Sequence, residues 1–200
     1  MNYPNSLKNL IESFKLLPGI GEKTAERLSL AVLALDEEKT QKFSNSVNDV
    51  KTKIKRCPVC HTLTEDEICN ICKDDCRNTS ILCVVEKPKD VILFENIGTF
   101  TGRYHVLDGL ISPLDGVNPE DLHITDLVER VQRDNIKEIV IAVTPSIEGE
   151  TTALYIAKLF EGTDVVVSKI AHGVPLGTNM EYIDALTLEL ALEDRKKISN

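Results

Sequence analysis

Four cysteines in two pairs constrain this chain more than any other feature. They read Cys57-Pro58-Val59-Cys60, then eight residues, then Cys69-Asn70-Ile71-Cys72. Each Cys-x-x-Cys pair can wrap a tight knuckle round one metal ion, and four thiolates fill a tetrahedral shell. The segment between the pairs holds Thr62, Thr64, Glu65, Asp66 and Glu67, which is too polar to build an apolar core. Metal bonds must then order it, so binding and local folding become one event. One structural Zn2+ per chain is the expected occupant. A four-thiolate iron site and disulfides are the alternatives. His61 lies beside the ligand set but has no part in a complete shell, and is expected to be exposed. Cys76 is a spare thiol that competes less well than Cys72, because Cys72 belongs to a paired knuckle.

The 200 residues hold no apolar run that could span a bilayer, and Met1 to Leu10 lack a signal-peptide pattern. A cytoplasmic protein without membrane contact is expected. In a reducing compartment cysteines are metal-bound or buried more often than bridged. Cys83, in Ile81-Leu82-Cys83-Val84-Val85, reads as a small buried hydrophobe. A hydrophobic content of 42% suffices for a core. The net charge of −9 argues against nucleic acid until it is divided: residues 1–56 carry +3 and the remainder −12. The asymmetry points to an anion-binding amino-terminal end.

Leu7, Leu10, Ile11 and Phe14 recur at helical spacing, with Asn5 or Ser6 placed to cap; Pro18 and Gly19 stop the helix. A second helix carries Ala25, Leu28, Ala31, Val32 and Leu35 on one face. Between them, Leu17-Pro18-Gly19-Ile20-Gly21 reads as a tight hairpin, with Gly19 and Gly21 permitting close approach of another backbone. The free N–H groups of the second helix suit a DNA phosphate, flanked by Lys23 and Arg27 four apart. This stretch resembles the helix-hairpin-helix DNA-binding motif; an ordinary packing unit with exposed cations is the plainer reading. Phe43, Val47, Val50 and Ile54 mark a third helix, whose end holds Lys51, Lys53, Lys55 and Arg56.

From Ile81 strands alternate with helices: strands at 81–85, 104–107, 138–143 and 165–170, helices at 88–96, 125–133, 149–160 and 181–192. Near-continuous Val/Ile runs separated by helices predict an α/β fold, a mostly parallel sheet flanked by helices. It follows a small α-helical domain and the four-cysteine module. Functional groups gather at the carboxyl ends of such strands. Glu86 ends the first strand, and Glu148 and Glu150 follow the third. Acids two apart with a glycine between can face one pocket, and three clustered carboxylates either bind a divalent cation or raise each other's pKa. A solvated set of loop acids is the plainer alternative. The combination resembles the Toprim domain, in which such acids hold Mg2+. The usual Asp-x-Asp is Glu-x-Glu here, which weighs against Mg2+.

The order of these modules is more specific than any one of them. With Ala171-His172-Gly173-Val174-Pro175-Leu176-Gly177 and the Glu181–Leu192 segment, the whole chain resembles the bacterial RecR family. Thr144, Thr178 and Asn179 depart from residues common in that family. The resemblance implies a helix-hairpin-helix domain at 1–56, a zinc finger at 57–72, a Toprim domain at 80–175 and a C-terminal segment for subunit contacts at 176–200. It implies a DNA-repair protein without catalytic activity. Such proteins form a homotetrameric ring-like clamp on DNA, and act with RecO and RecF to load RecA at gaps and single-stranded/double-stranded junctions. By position, Gly19, Gly21, Lys23 and Arg27 meet DNA, and Cys57, Cys60, Cys69 and Cys72 hold zinc. Glu86, Glu148 and Glu150 become a partner-binding or vestigial metal surface. A Toprim nuclease or primase-like enzyme, and a zinc-stabilised scaffold binding only proteins, are the competing functions.

Overall fold

A computed structural model describes residues 3–171, 173–195 and 197–198. The chain divides into two compact units, Met1–Ile54 and Lys55–Asn200.

The first unit is helical: α1 Asn5–Lys15, α2 Glu22–Leu33 and α3 Glu37–Lys53. α1 ends short of Pro18, whose ring cannot continue a helix. Its N-cap is Pro4, and both residues expected to cap, Asn5 and Ser6, sit inside the first turn. α1 and α2 pack through Ile11, Ala25 and Ser29, with Leu28 and Val32 half-buried. The expected face of α2 is narrower than its spacing suggested. Ala31 is exposed, and Leu35 lies beyond the last turn, also exposed. α3 is capped by Asp36, whose carboxylate accepts from the Lys39 amide at 2.8 Å. Its apolar stripe is present but faces outward, since Phe43, Val47 and Val50 are all exposed.

The second unit opens with a short antiparallel ribbon, β1 Lys55–Arg56 and β2 Leu63–Thr64, and a single helical turn, α4 Asn70–Lys73. Then follow β3 Ile81–Val85, α5 Pro88–Ile97, β4 Arg103–Val106, α6 Ile124–Arg133, β5 Glu138–Ala142, α7 Ile147–Leu159 and β6 Val166–Lys169. The four strands form one parallel sheet in the order β4-β3-β5-β6. A parallel sheet needs both faces covered, and here both are. On one face, Leu82, Val84, Ile139 and Ile141 pack against Leu127 and Val131 of α6 and Ala153 and Ile156 of α7. On the other, Cys83, Val85, Tyr104 and Val106 pack against Val91 of α5. The chain ends in a one-turn helix, Met180–Tyr182, and α8 Ala185–Glu193. The expected single helix from Glu181 therefore begins four residues late. Asp184 caps it by accepting from the Thr187 amide at 2.9 Å.

Candidate functional site

The hairpin between α1 and α2 has the geometry that its glycines suggested, though they act differently. Gly19 takes a left-handed φ of +79°, which a Cβ disfavours. Gly21 is extended and serves as the N-cap of α2, without a side chain to satisfy the first-turn N–H groups. A Cβ at Gly21 would meet nothing within 4 Å, so its surroundings are open to an incoming group. Lys23 and Arg27 are both exposed, one turn apart. Neither makes an ion pair among the described residues. Glu22, in the same first turn, is held by Lys15 at 2.7 Å.

The four cysteines converge. The sulfurs of Cys57, Cys60, Cys69 and Cys72 all lie within 4.8 Å of one another, and the first three residues are buried. The Cys60 and Cys69 sulfurs are 3.5 Å apart, close to the ~3.8 Å edge of a tetrahedron with Zn–S bonds of ~2.3 Å. The Cys69 and Cys72 amides point at the sulfurs of Cys57 and Cys69, at 3.5 and 3.4 Å. Such N–H groups stabilise thiolate charge. The crowded sulfurs compete for protons. Cys69 is held well below its ordinary pKa, first by hydrogen bonds from the Cys60 and Cys72 thiols, while Cys60 is pushed far up, first by its bond to Cys69. A dication removes that conflict by replacing the protons, so this donor set fits Zn2+. The geometry does not support the disulfide alternative: the four cysteines are not bridged, and the Cys60 and Cys69 sulfurs stand 3.5 Å apart, well beyond the ~2.05 Å of an S–S bond. Cys76 is exposed and outside the cluster.

The metal knuckle also completes the sheet. β4 is an edge strand, and an edge presents unpaired backbone groups. The Val106 amide donates to the Cys60 carbonyl at 2.9 Å, and Arg56 reaches Asp108, just past β4, at 2.7 Å. Two residues that carry this junction were not anticipated. His61 is not exposed: its side chain is 12% accessible, stacked on His123 at 3.7 Å and edge-on to His105 at 5.2 Å. A left-handed backbone (φ 62°) turns it inward. Arg130 of α6, 1% exposed, donates to the Tyr104 carbonyl of β4 at 2.6 Å, and its positive charge reaches Cys72. An arginine on the apolar side of a helix was the available signal.

The three acids at the carboxyl ends of the strands are not brought together as a metal-binding group. Glu148 and Glu150 fall in the first turn of α7, where residues two apart point to different sides. The expectation was that both face one pocket, with the helix beginning at Gly149; α7 begins at Ile147 instead, so both acids lie on it and point apart. Gly149 between them is required by packing: a Cβ there would collide with the Thr144 carbonyl oxygen. Each of two acids has its own cation. Glu86 accepts from Thr144 Oγ1 at 2.6 Å and pairs with Lys87 at 2.9 Å, and Glu150 pairs with Lys169 at 2.8 Å. Burial raises the Glu86 pKa, but these partners outweigh it and leave it below its ordinary value. The mutual rise expected of clustered acids does not occur at Glu86.

Among the described residues no helix is long and apolar enough to cross a membrane. His172 lies outside the described residues. Four family models match the chain in sequence order. They are the RecR helix-hairpin-helix over residues 7–51, the RecR four-cysteine zinc finger domain over 54–74, the Toprim domain over 80–171, and the RecR C-terminal region over 173–196. Only the ends and short gaps are left unmatched. A DNA-binding protein of recombinational repair fits all four. Taken with the open hairpin, the converged thiolates and the parallel sheet, these matches establish that the chain belongs to the RecR family.

Proposed function

We propose that the chain is a non-catalytic DNA clamp that acts with RecO and RecF to load RecA at gaps and at single-stranded/double-stranded junctions. The observation that carries DNA binding is the α2 start. Exposed Lys23 and Arg27 flank uncapped first-turn N–H groups beside the open space at Gly21. A phosphate there gains the helix dipole, backbone donors and two cations together. Cytoplasmic, nucleoid-associated action follows from that partner.

The homotetramer is supported by surfaces that one chain leaves uncovered. Phe43, Val47 and Val50 on α3 and Tyr182, Leu186 and Leu192 near the C-terminus are exposed. Further copies of the chain are the proposed cover. Closing a ring with the basic ends inward reconciles DNA binding with a net charge of −9. Glu86, Glu148 and Glu150 serve as a partner-binding surface and not as a Mg2+ centre, because they are dispersed and two of them are neutralised by lysines.

The test is the double variant Lys23→Ala/Arg27→Ala. It is expected to weaken binding to a tailed duplex at low salt about a hundredfold. It should also lower the slope of log affinity against log salt by about 2, one unit per lost phosphate contact. Zinc content should stay the same. Unchanged affinity and slope would defeat the proposal. Mg2+- or Mn2+-dependent cleavage or synthesis that vanishes in Glu86→Gln would replace it with the enzyme reading.

A further inference from the structure

Three of the four histidines of the chain gather at one place, the seam between the zinc knuckle and the loop ahead of α6. His61 comes from the knuckle; His123 and Asp126 come from the start of α6. We propose that His61, His123 and Asp126 form a second divalent-metal site, distinct from the four cysteines, for a borderline ion of the Zn2+, Co2+ or Ni2+ class.

One donor atom from each residue lies within 4.8 Å of the others. Asp126 Oδ2 is 3.1 Å from His61 Nε2 and 3.4 Å from His123 Nδ1, so one carboxylate oxygen already bridges both imidazoles. Two imidazoles and a carboxylate select this class of ion, since Mg2+ and Ca2+ prefer all-oxygen shells. The outer shell is present as well. The other ring nitrogen of His123, Nε2, lies 3.4 Å from Asp108 Oδ2. Metal-bound histidines commonly keep such a carboxylate on their second nitrogen, where it fixes the tautomer and raises ligand basicity. His105 steadies the backbone. Its Nε2 donates to the His123 carbonyl at 2.7 Å, because that oxygen can only accept. His105 is fully buried, and its Nδ1 is left with an unpartnered lone pair.

A metal accepts lone pairs in the plane of each ring. The rings of His61 and His123 are now parallel, 3.7 Å apart, so binding requires them to splay. The His123 side chain is 35% exposed and has the room to turn, whereas His61 is held at 12%. The fourth position is left to water or to a group from a partner. Because the donors come from both sides of the seam, the ion would staple the knuckle to the sheet unit.

The experiment uses the full chain with its thiolate site loaded with zinc. Co2+ is added in excess, bound metals are counted by mass spectrometry, and visible spectra are recorded. One Co2+ per chain is expected beside the retained Zn2+, with weak d–d bands and no sulfur-to-cobalt charge transfer. Asp126→Asn and His123→Gln should each weaken uptake of this second ion at least tenfold. Asp126 is 51% exposed, so its variant keeps the fold, which circular dichroism verifies. Saturation at one metal per chain overturns the proposal. So does a second ion that persists in both variants, or Co2+ whose spectrum carries thiolate charge transfer.

Discussion

The two units bury their apolar residues to different degrees. In the sheet unit, two clusters close over both faces of the strands, and Leu82, Val84, Val85, Ile139 and Ile156 are inaccessible or nearly so. In the helical unit only Ile11, Ala25 and Ser29 are buried among the described residues, while Leu16, Leu33, Phe43, Val47 and Val50 stay in contact with solvent. Apolar faces that a chain leaves open are surfaces for other molecules. The sheet and the helices packed on its two faces therefore spend most of their hydrophobic residues on their own fold, leaving Tyr182, Leu186 and Leu192 near the C-terminus open, and need a metal only at one edge. The helical unit keeps its own for contacts.

Removing the metal should break the contrast most. A strong chelator, or Cys60→Ala, is expected to lower zinc to nothing. It forfeits coupled binding and folding energy on the order of 10 kcal/mol, a magnitude set by zinc-finger peptides. Hydrogen exchange should rise in the knuckle and at β4, whose Val106 amide loses its Cys60 partner. Exchange in α1 and α2 should not change. If β4 stays protected without metal, the knuckle does not complete the sheet.

A pair of glycine substitutions sharpens the comparison. Gly149→Ala places a Cβ against the Thr144 carbonyl and should cost about 3 kcal/mol in thermal or denaturant unfolding. Gly21→Ala meets open space and should cost less than about 1 kcal/mol, yet weaken DNA binding by obstructing the phosphate approach. The reverse ranking would mean that the glycines have exchanged roles.

Thr152→Val should cost about 2 kcal/mol. The buried hydroxyl accepts from the Ile111 amide at 2.9 Å and donates to the Glu148 carbonyl at 2.7 Å, and valine strands the amide. Urea unfolding of the sheet unit measures it. The smallest effect on fold stability is expected at the α3 stripe. Val47 is 56% exposed, so Val47→Lys should change the unfolding free energy of the monomer by less than about 0.5 kcal/mol. The same change should reduce the assembled mass seen by light scattering. A large loss of monomer stability would show that the stripe belongs to the core of its own chain.

The chain alone determined most of the fold and one complete ligand set. Local signals carry both: Cys-x-x-Cys spacing fixes a tetrahedral donor set, Pro18 stops a helix, and unbroken Val/Ile runs require a sheet covered on both faces. The four-cysteine site needed no long-range information beyond the meeting of two knuckles. What depended on distant partners could not be read. Glu148 and Glu150 look like a facing pair in sequence, but the start of α7 separates them, and Lys169, nineteen residues on, claims one. His61 reads as a bystander, but it is half-buried and packed against His105 and His123, which come from β4 and the start of α6. Spacing along the chain governs contacts within one turn or one knuckle. Charge pairing and ring stacking across the sheet depend on which strands become neighbours, and only the tertiary structure decides that.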